Sequence, residues 1–172
     1  MIYFDPLVAG ATLIMAAGLI YLGYKQLKPL KDSAELSEKS SRAELLIRLN
    51  TIYGDIVEAR RSAWELHQEC KNKYPTDIAQ CYRDIGIELS KLRTSKNPQD
   101  TEKYYSYRKL MDFGELLGFL VLDRKLLQVS DINGLWGTAL KEWAKWFNPH
   151  IEDLQKEYSD GYVLLQKLAE KL

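Results

Sequence analysis

The sequence is poor in the residues that build most metal and cofactor sites. Its 172 residues include only two cysteines and two histidines. Two cysteines are too few for a dense disulfide framework. It has no glycine-rich phosphate loop, serine nucleophile elbow or paired-histidine zinc motif. Lys plus Arg equals Asp plus Glu, at 24 each, and the two signs are interspersed, which argues against a nucleic-acid-binding face. We therefore predict no catalytic constellation, no cofactor and no nucleic-acid partner.

Alternating runs long enough for a β-strand are also missing. Apolar residues recur instead at gaps of three and four, the spacing of one helix face. The first series is long, and a second apolar face widens it beyond a two-stranded coiled coil, which favours the central helix of a bundle. We predict an all-α fold with an antiparallel bundle of about five helices over residues 42–172. The first series comprises Leu45, Leu49, Ile52, Ile56, Ala59, Ala63, Leu66 and Cys70.

Proline and asparagine mark the predicted helix boundaries. Tyr74-Pro75 ends the first helix of the bundle, because proline disfavours helical geometry in the residue before it. Asn97-Pro98 and Asn148-Pro149 each begin a helix, since asparagine caps free amides and proline is tolerated at the first helical position. Ser130-Asp131 begins the helix between them.

Residues 6–24 carry no charged side chain and are almost wholly apolar. At about 1.5 Å per residue, a helix of this length reaches roughly 27 Å, close to the hydrocarbon thickness of a bilayer. Aromatic rings suit the headgroup boundary. They lie at both ends of the stretch, as Tyr3, Phe4, Tyr21 and Tyr24. We expect a transmembrane helix over residues 6–24.

The flanking charges predict the orientation of this helix. Lys25, Lys28 and Lys31 follow the span, whereas Asp5 precedes it, so the positive-inside rule places the C-terminal side in the cytoplasm. A cleaved signal peptide would need its basic residues before the apolar stretch and a cleavage site after it, and neither is present. We predict a single-pass protein of a bacterial-type inner membrane. Residues 1–5 are then external, residues 25–41 form a juxtamembrane linker or helix extension, and residues 42–172 form the cytoplasmic bundle.

Small residues form a stripe on the predicted anchor. Gly10 and Ala17 are seven residues apart, as are Ala11 and Gly18, so each pair shares a helix face along which two anchors could approach closely. This stripe is the candidate seam for a homo-oligomer in the bilayer.

The two cysteines and two histidines are the candidate ligands of a metal site. Cys70 and Cys81 lie on either side of Pro75, so a turn there brings their sulfurs near each other, as free thiols in a reducing compartment. His67 shares a helix face with Cys70, but the fourth ligand, His150, is far downstream. Since Cys70 already occupies an apolar seam position, we predict no metal.

Asp112 and Glu115 are three residues apart on one side of an apolar helix. Such a pair could act as acid and base if burial raised one pKa. The simpler interpretation, which we favour, is an ion pair between Asp112 and Arg108, four residues earlier, along the solvent face. Apolar residues crowd Glu115, which is therefore the candidate functional carboxylate.

Aromatic residues supply the candidate interaction surface, because large rings are enriched where proteins bind proteins. Trp136 and Trp143 follow the spacing of a helix face and are predicted to be core. Tyr105 and Trp146 lie off these seams, and we predict that they contact a partner.

Three segments, residues 113–123, 135–137 and 148–151, together with Trp143 carry a family likeness. On these residues the chain resembles a bacterial family of unknown function, small helical proteins behind one N-terminal anchor. The likeness extends over roughly residues 36–172 and implies the anchored helical architecture, but no activity, cofactor or catalytic residue. Glu115 and Trp143 are the matched positions of interest.

These observations favour a membrane-anchored interaction module that scaffolds or regulates an unidentified protein at the cytoplasmic face. One alternative is an oligomerising effector of phage-related conflict that disturbs the bilayer through the stripe of small residues. A third hypothesis is an enzyme that uses Glu115, although the leading interpretation is that the protein is not an enzyme.

Overall fold

The structure is a computed structural model that describes residues 6–172, with side chains described from Lys31 onward. Over residues 6–172 the chain forms six α-helices and no strand, which confirms the all-α prediction. A short π-helical segment extends the fourth helix. The helices are α1 (Pro6–Asp55), α2 (Val57–Lys73), α3 (Ile78–Thr94), α4 (Pro98–Gly118), α5 (Val129–Glu157) and α6 (Val163–Lys171), and the π-helical segment is Phe119–Asp123.

The chain divides into two compact units, the first ending at Ile47 and the second comprising Arg48–Leu172. Residues 25–41, predicted as a linker or a helix extension, belong to α1. From Lys31 to Leu172, where side chains are described, no helix has an apolar stretch long enough to cross a membrane. The predicted span over residues 6–24 lies outside the residues whose side chains are described.

The first predicted helix of the bundle is divided in two. α1 ends at Asp55 and α2 begins at Val57, with Ile56 between them at φ −97° and ψ 20°. Gly54 lies directly before this break, and glycine weakens a helix because its unfolded backbone has more freedom to lose. The regular spacing of apolar residues continues across the break, so it did not reveal the interruption.

A proline-containing turn separates α2 from α3, as predicted. α2 ends at Lys73, and Asp77 caps α3 by accepting a hydrogen bond from the amide of Gln80 at 2.9 Å. The carboxylate of Asp84 on α3 accepts hydrogen bonds from Lys73 Nζ at 2.8 Å and from the Tyr74 hydroxyl at 2.7 Å. These contacts connect the two sides of the turn. These hydrogen bonds, with Lys73 foremost, lower the pKa of Asp84 to about 2.

The predicted starts of α4 and α5 are close to the observed ones. Asn97 caps α4 by accepting a hydrogen bond from a first-turn amide at 3.0 Å, and Pro98 is the first helical residue. α5 begins one residue earlier than predicted, at Val129. Asp131 in its first turn accepts a hydrogen bond from the amide of the residue before the helix at 2.8 Å.

The prediction that Asn148-Pro149 begins a helix is wrong, because α5 continues to Glu157 with Pro149 inside it. Proline inside a helix costs about 3 kcal/mol through the lost hydrogen bond and steric strain. Phe147 and Ile151, on either side of the proline, are fully buried, and such side chains contribute about 1.5–3 kcal/mol each. Their burial offsets the penalty and keeps the helix continuous.

The core of the second unit follows the predicted helix faces. α3 packs against α2 and α5, and α4 packs against α2 and α6. Five predicted core residues are instead exposed: Ile52 on the first apolar series, Val57 and Trp64 on the second apolar face, Ile78 at the start of α3, and Tyr158 directly after α5. The confirmed core positions include Leu49, Ala63, Ile85, Leu89, Tyr104, Tyr107, Leu110, Leu117, Val121, Trp136, Leu140, Trp143, Phe147, Ile151, Leu165 and Leu168.

Two glycines of α4 allow α6 to approach closely. A Cβ atom at Gly118 would lie 2.6 Å from the carbonyl oxygen of Leu164, and one at Gly114 would lie 2.5 Å from a methyl group of Leu165. Because real Cβ contacts are essentially never so short, a larger residue at Gly118 would push the backbone of α6 away, and one at Gly114 would force the Leu165 side chain to move. The two glycines are one helical turn apart, so they form the seat of α6 on α4.

Candidate functional site

Glu115, the predicted functional carboxylate, lies on this seat and caps α6. Its two carboxylate oxygens accept hydrogen bonds from the amides of Leu164 at 3.3 Å and Leu165 at 2.8 Å. α6 needs this help because Tyr162, the residue before it, provides no side-chain cap. Burial raises the pKa of Glu115, and the two amides act in the opposite direction. The observed contacts of Glu115 are therefore structural.

Asp112, the partner proposed for Glu115, belongs to a different cluster. Its carboxylate lies 3.5 Å from Arg108 Nε, which confirms the predicted ion pair. It also accepts a hydrogen bond from the Tyr162 hydroxyl at 2.8 Å. The two carboxylates therefore have different partners. Asp112 contacts a guanidinium and a phenol, whereas Glu115 contacts backbone amides.

Cys70 and Cys81 meet across the turn at Pro75, as predicted. The Cys70 thiol donates a hydrogen bond to the Cys81 carbonyl oxygen at 3.1 Å, and both residues are buried free cysteines. Burial is the main cause that raises the pKa of the Cys81 thiol to about 12. A thiol with so high a pKa is a poor nucleophile at neutral pH.

The two histidines lie in separate surroundings. His150 bonds through Nδ1 to Ser90 Oγ at 3.1 Å and through Nε2 to the Tyr104 hydroxyl at 3.2 Å. His67 instead stacks on Trp146, with ring centroids 4.3 Å apart. Among the residues with described side chains, no three or more His, Cys, Asp or Glu residues are grouped so that they could hold a metal ion.

Trp146, predicted to contact a partner from the surface, is only 4% exposed. This part of the prediction is corrected, because α2 covers the residue. Its indole ring stacks on His67 of α2 at an interplanar angle of 12°. Trp64, one turn before His67 on α2, lies 6.1 Å from both rings and is 55% exposed. Trp64 is thus the tryptophan that faces outward.

Tyr82 of α3 completes this group, with its ring centroid 6.2 Å from that of His67. We call Trp64, His67, Tyr82 and Trp146 the tryptophan site. It draws one residue from α3, one from α5 and two from α2. Trp64 is the exposed member of the site, and we call the buried rings of His67 and Trp146 its floor.

The floor of the tryptophan site contains polar atoms without partners. His67 Nδ1, His67 Nε2 and Trp146 Nε1 are all buried and have no hydrogen-bond partner among the described residues. Burial lowers the pKa of His67, so its ring is neutral at pH 7 and offers one donor and one acceptor. A buried polar group without a partner costs about 1–3 kcal/mol. Three such atoms side by side are unusual in a folded core.

Tyr105, the other predicted contact residue, is 52% exposed and lies beside Tyr104 with ring centroids 6.3 Å apart. It lines a shallow groove of about 470 Å³ together with Lys96, Pro98 and Lys109. Its exposure agrees with the prediction, and its partner contact stays a prediction. Gly10, Ala11, Ala17 and Gly18, the predicted anchor seam, lie outside the residues whose side chains are described.

Sequence reasoning missed the tryptophan site because its residues belong to three helices. Trp64 and His67 are three residues apart and so share a helix face. Trp64 belongs to the second apolar face of the first predicted bundle helix, and its spacing there predicts a core position. No known protein family, curated protein sequence or solved structure matches the chain. The functional argument therefore rests on the site itself.

Proposed function

We propose that this chain is a membrane-anchored interaction module, in which residues 6–24 span a bilayer and the tryptophan site binds another protein at the cytoplasmic face. The anchor is supported by the charge-free sequence, by the lysines that follow it and by the helix that begins at Pro6. The resemblance to anchored helical proteins favours the same architecture.

The unpartnered nitrogens of His67 and Trp146 carry the interaction part of this proposal. A protein keeps such atoms at a cost to its own stability. Because the atoms are buried beside Trp64, a partner reaches them by displacing the Trp64 ring, and its hydrogen-bonding groups then remove that cost. Trp64 adds a large exposed ring beside these atoms, and tryptophan is among the residues that contribute most to binding at protein interfaces. The partner element that we propose is a loop or a helix end, since it presents backbone carbonyl oxygens and amides.

A site-specific cross-link tests this function. A photoreactive phenylalanine analogue replaces Trp64 in cells that produce the full-length chain, and the matched control carries it at Ile87, which is 53% exposed on α3. We expect one discrete protein to be linked at position 64 and not at position 87. If both positions link the same background species, the tryptophan site is not an interface.

A second variant separates binding from folding. His67→Phe retains a ring against Trp146 but removes two unpartnered nitrogens, so we expect the free protein to gain up to about 1 kcal/mol of stability. The same variant should weaken partner capture, because the partner loses its hydrogen bonds. Thermal unfolding and cross-linking yield measure the two effects. A variant that is less stable and still captures the partner would show that His67 serves the core alone.

A further inference from the structure

A second surface feature lies between α3, α5 and α6. It is a groove of about 850 Å³, within the range of about 300–1,000 Å³ that is typical of small-molecule sites. Small side chains from all three helices create it, with Ala79 on α3, Ala144 on α5 and Ala169 on α6. Pro149 and Val163 extend this apolar floor. We call this feature the lysine groove.

Three lysines line the groove, and one carboxylate, Glu170, faces them. Lys141 and Lys145 are one turn apart on α5, while Lys167 belongs to α6. The lysine side chains therefore line the groove from two helices. Lys145 pairs with Glu142 at 3.5 Å. Neither Lys141 nor Lys167 has an ion-pair or hydrogen-bond partner among the described residues. The groove therefore has an excess of positive charge over an apolar floor.

The amide side chains that line the groove are already engaged. Gln166 donates a hydrogen bond to Asn148 at 2.7 Å and accepts one from Gln155 at 2.8 Å. Asn148 in turn donates to Glu152 at 2.6 Å. Because these amides satisfy one another, the directional hydrogen bonding left for the polar ring of a nucleotide or the hydroxyls of a sugar comes from the Tyr82 hydroxyl and the Glu170 carboxylate alone. Lysines act as point charges that require only an anion.

We propose that the lysine groove binds an acyl chain that carries an anionic head group. The chain would lie on the alanines, Val163 and Pro149, and the anion would lie between Lys141 and Lys167. The same chemistry occurs in a free fatty acid and in an anionic phospholipid. This site is separate from the tryptophan site, although Tyr82 borders both.

A photoreactive ligand tests the groove in the full-length chain. The protein is placed in nanodiscs of phosphatidylcholine, and a palmitate analogue with a diazirine in its chain is added, illuminated and mapped by peptide mass spectrometry. We expect the label on peptides of α3, α5 and α6 that line the groove. The double variant Lys141→Gln/Lys167→Gln should lower the labelling roughly fivefold, since each lost ion pair is partly exposed. The matched double variant Lys71→Gln/Lys103→Gln, with the same change in net charge, should not.

A plugged variant separates binding in the groove from adsorption on its charges. Ala79 is exposed on α3, so Ala79→Trp can fill the groove without disturbing the core, and Ile87→Trp on the same helix is its control. We expect Ala79→Trp to lose the label although every lysine remains. Undiminished labelling of this variant contradicts the proposal, as does label spread evenly over helices outside the groove.

A parallel sample distinguishes a free fatty acid from an anionic phospholipid as the ligand. Nanodiscs that contain a diazirine-labelled phosphatidylglycerol present the phospholipid form, and excess unlabelled palmitate is the competitor. If the phosphatidylglycerol probe labels the groove and excess palmitate does not reduce this labelling, the ligand is the phospholipid. If only the palmitate analogue labels the groove, the ligand is the fatty acid. Absence of groove labelling from both probes overturns the proposal.

Discussion

His150 joins three helices through its two ring nitrogens, with Ser90 on α3 and Tyr104 on α4 as partners. It is 1% exposed, and burial is the main cause that lowers its pKa to about 4. The positive charge of Arg93 acts in the same direction, and Asp153 opposes it. At neutral pH the ring is therefore neutral, and its hydrogen bonds to two hydroxyl groups need no charge.

This lowered pKa predicts a loss of stability in mild acid. Between pH 6.5 and about 4 the unfolded chain binds a proton at His150 and the folded chain does not, so the free energy of unfolding falls as the pH falls. The full effect is on the order of 3 kcal/mol. We expect His150→Gln, which keeps hydrogen-bonding groups but does not titrate, to flatten the profile in this window. Denaturant unfolding of the full-length chain from pH 8 to pH 4 measures it.

His67 contributes to the same acid window, because burial also lowers its pKa. The pH profile of the unfolding free energy of His67→Phe therefore serves as the comparison. Adding His150→Gln to His67→Phe should still flatten this profile. Parallel profiles for the wild-type protein and His150→Gln would mean that His150 titrates normally in the folded protein.

At the scale of one element, α6 depends on a cap that lies on another helix. A helix of nine residues is too short to be stable alone, and its first amides find their acceptor in Glu115 of α4. The seat at Gly114 and Gly118 brings α6 close enough for these hydrogen bonds. The charge of Glu115 also lies at the positive end of the α6 dipole.

We predict that Glu115→Ala destabilises the protein by about 2 kcal/mol and Glu115→Gln by about 1 kcal/mol, since the amide oxygen of glutamine can still accept a hydrogen bond. Thermal unfolding followed by near-ultraviolet circular dichroism measures this loss in the full-length chain. Glu102→Gln, an exposed change on the same helix, is the control and should have little effect. If Glu115→Gln is as stable as this control, the hydrogen bonds to Leu164 and Leu165 do not stabilise α6.

At the scale of the whole molecule, burial along each helix could be predicted because it depends on local spacing. Tyr107, Leu110 and Leu117 recur at intervals of three and seven, and all are buried. The contact between Cys70 and Cys81 could also be predicted, since only one turn separates them. The prediction at Pro149 was wrong because Asn148-Pro149 has the sequence pattern of a helix start. The burial of the neighbouring side chains, which keeps α5 continuous, depends on packing against other helices.

The partners of the candidate site residues could not be predicted, because they are distant in sequence. Glu115 was identified from its apolar neighbours, but the Leu165 amide that it binds lies 50 residues later. Trp146 lies off the seam of α5, and only the packing of α2 buries it against His67. Sequence spacing identifies a face of a helix, but it does not say which other helix will cover that face.

Orientation across the membrane is a property of the whole chain, and the proposed function depends on it. Ser33 is exposed on α1, beyond the three lysines that follow the proposed span, and Tyr3 precedes the span. We expect Tyr3→Cys to react with a membrane-impermeant maleimide in intact spheroplasts, and Ser33→Cys to react only after permeabilisation. The native Cys70 and Cys81 are buried and should add little background. Labelling of Ser33→Cys alone in intact spheroplasts reverses the orientation. If neither variant is labelled in intact spheroplasts and alkaline carbonate releases the chain from membranes, residues 6–24 are not an anchor.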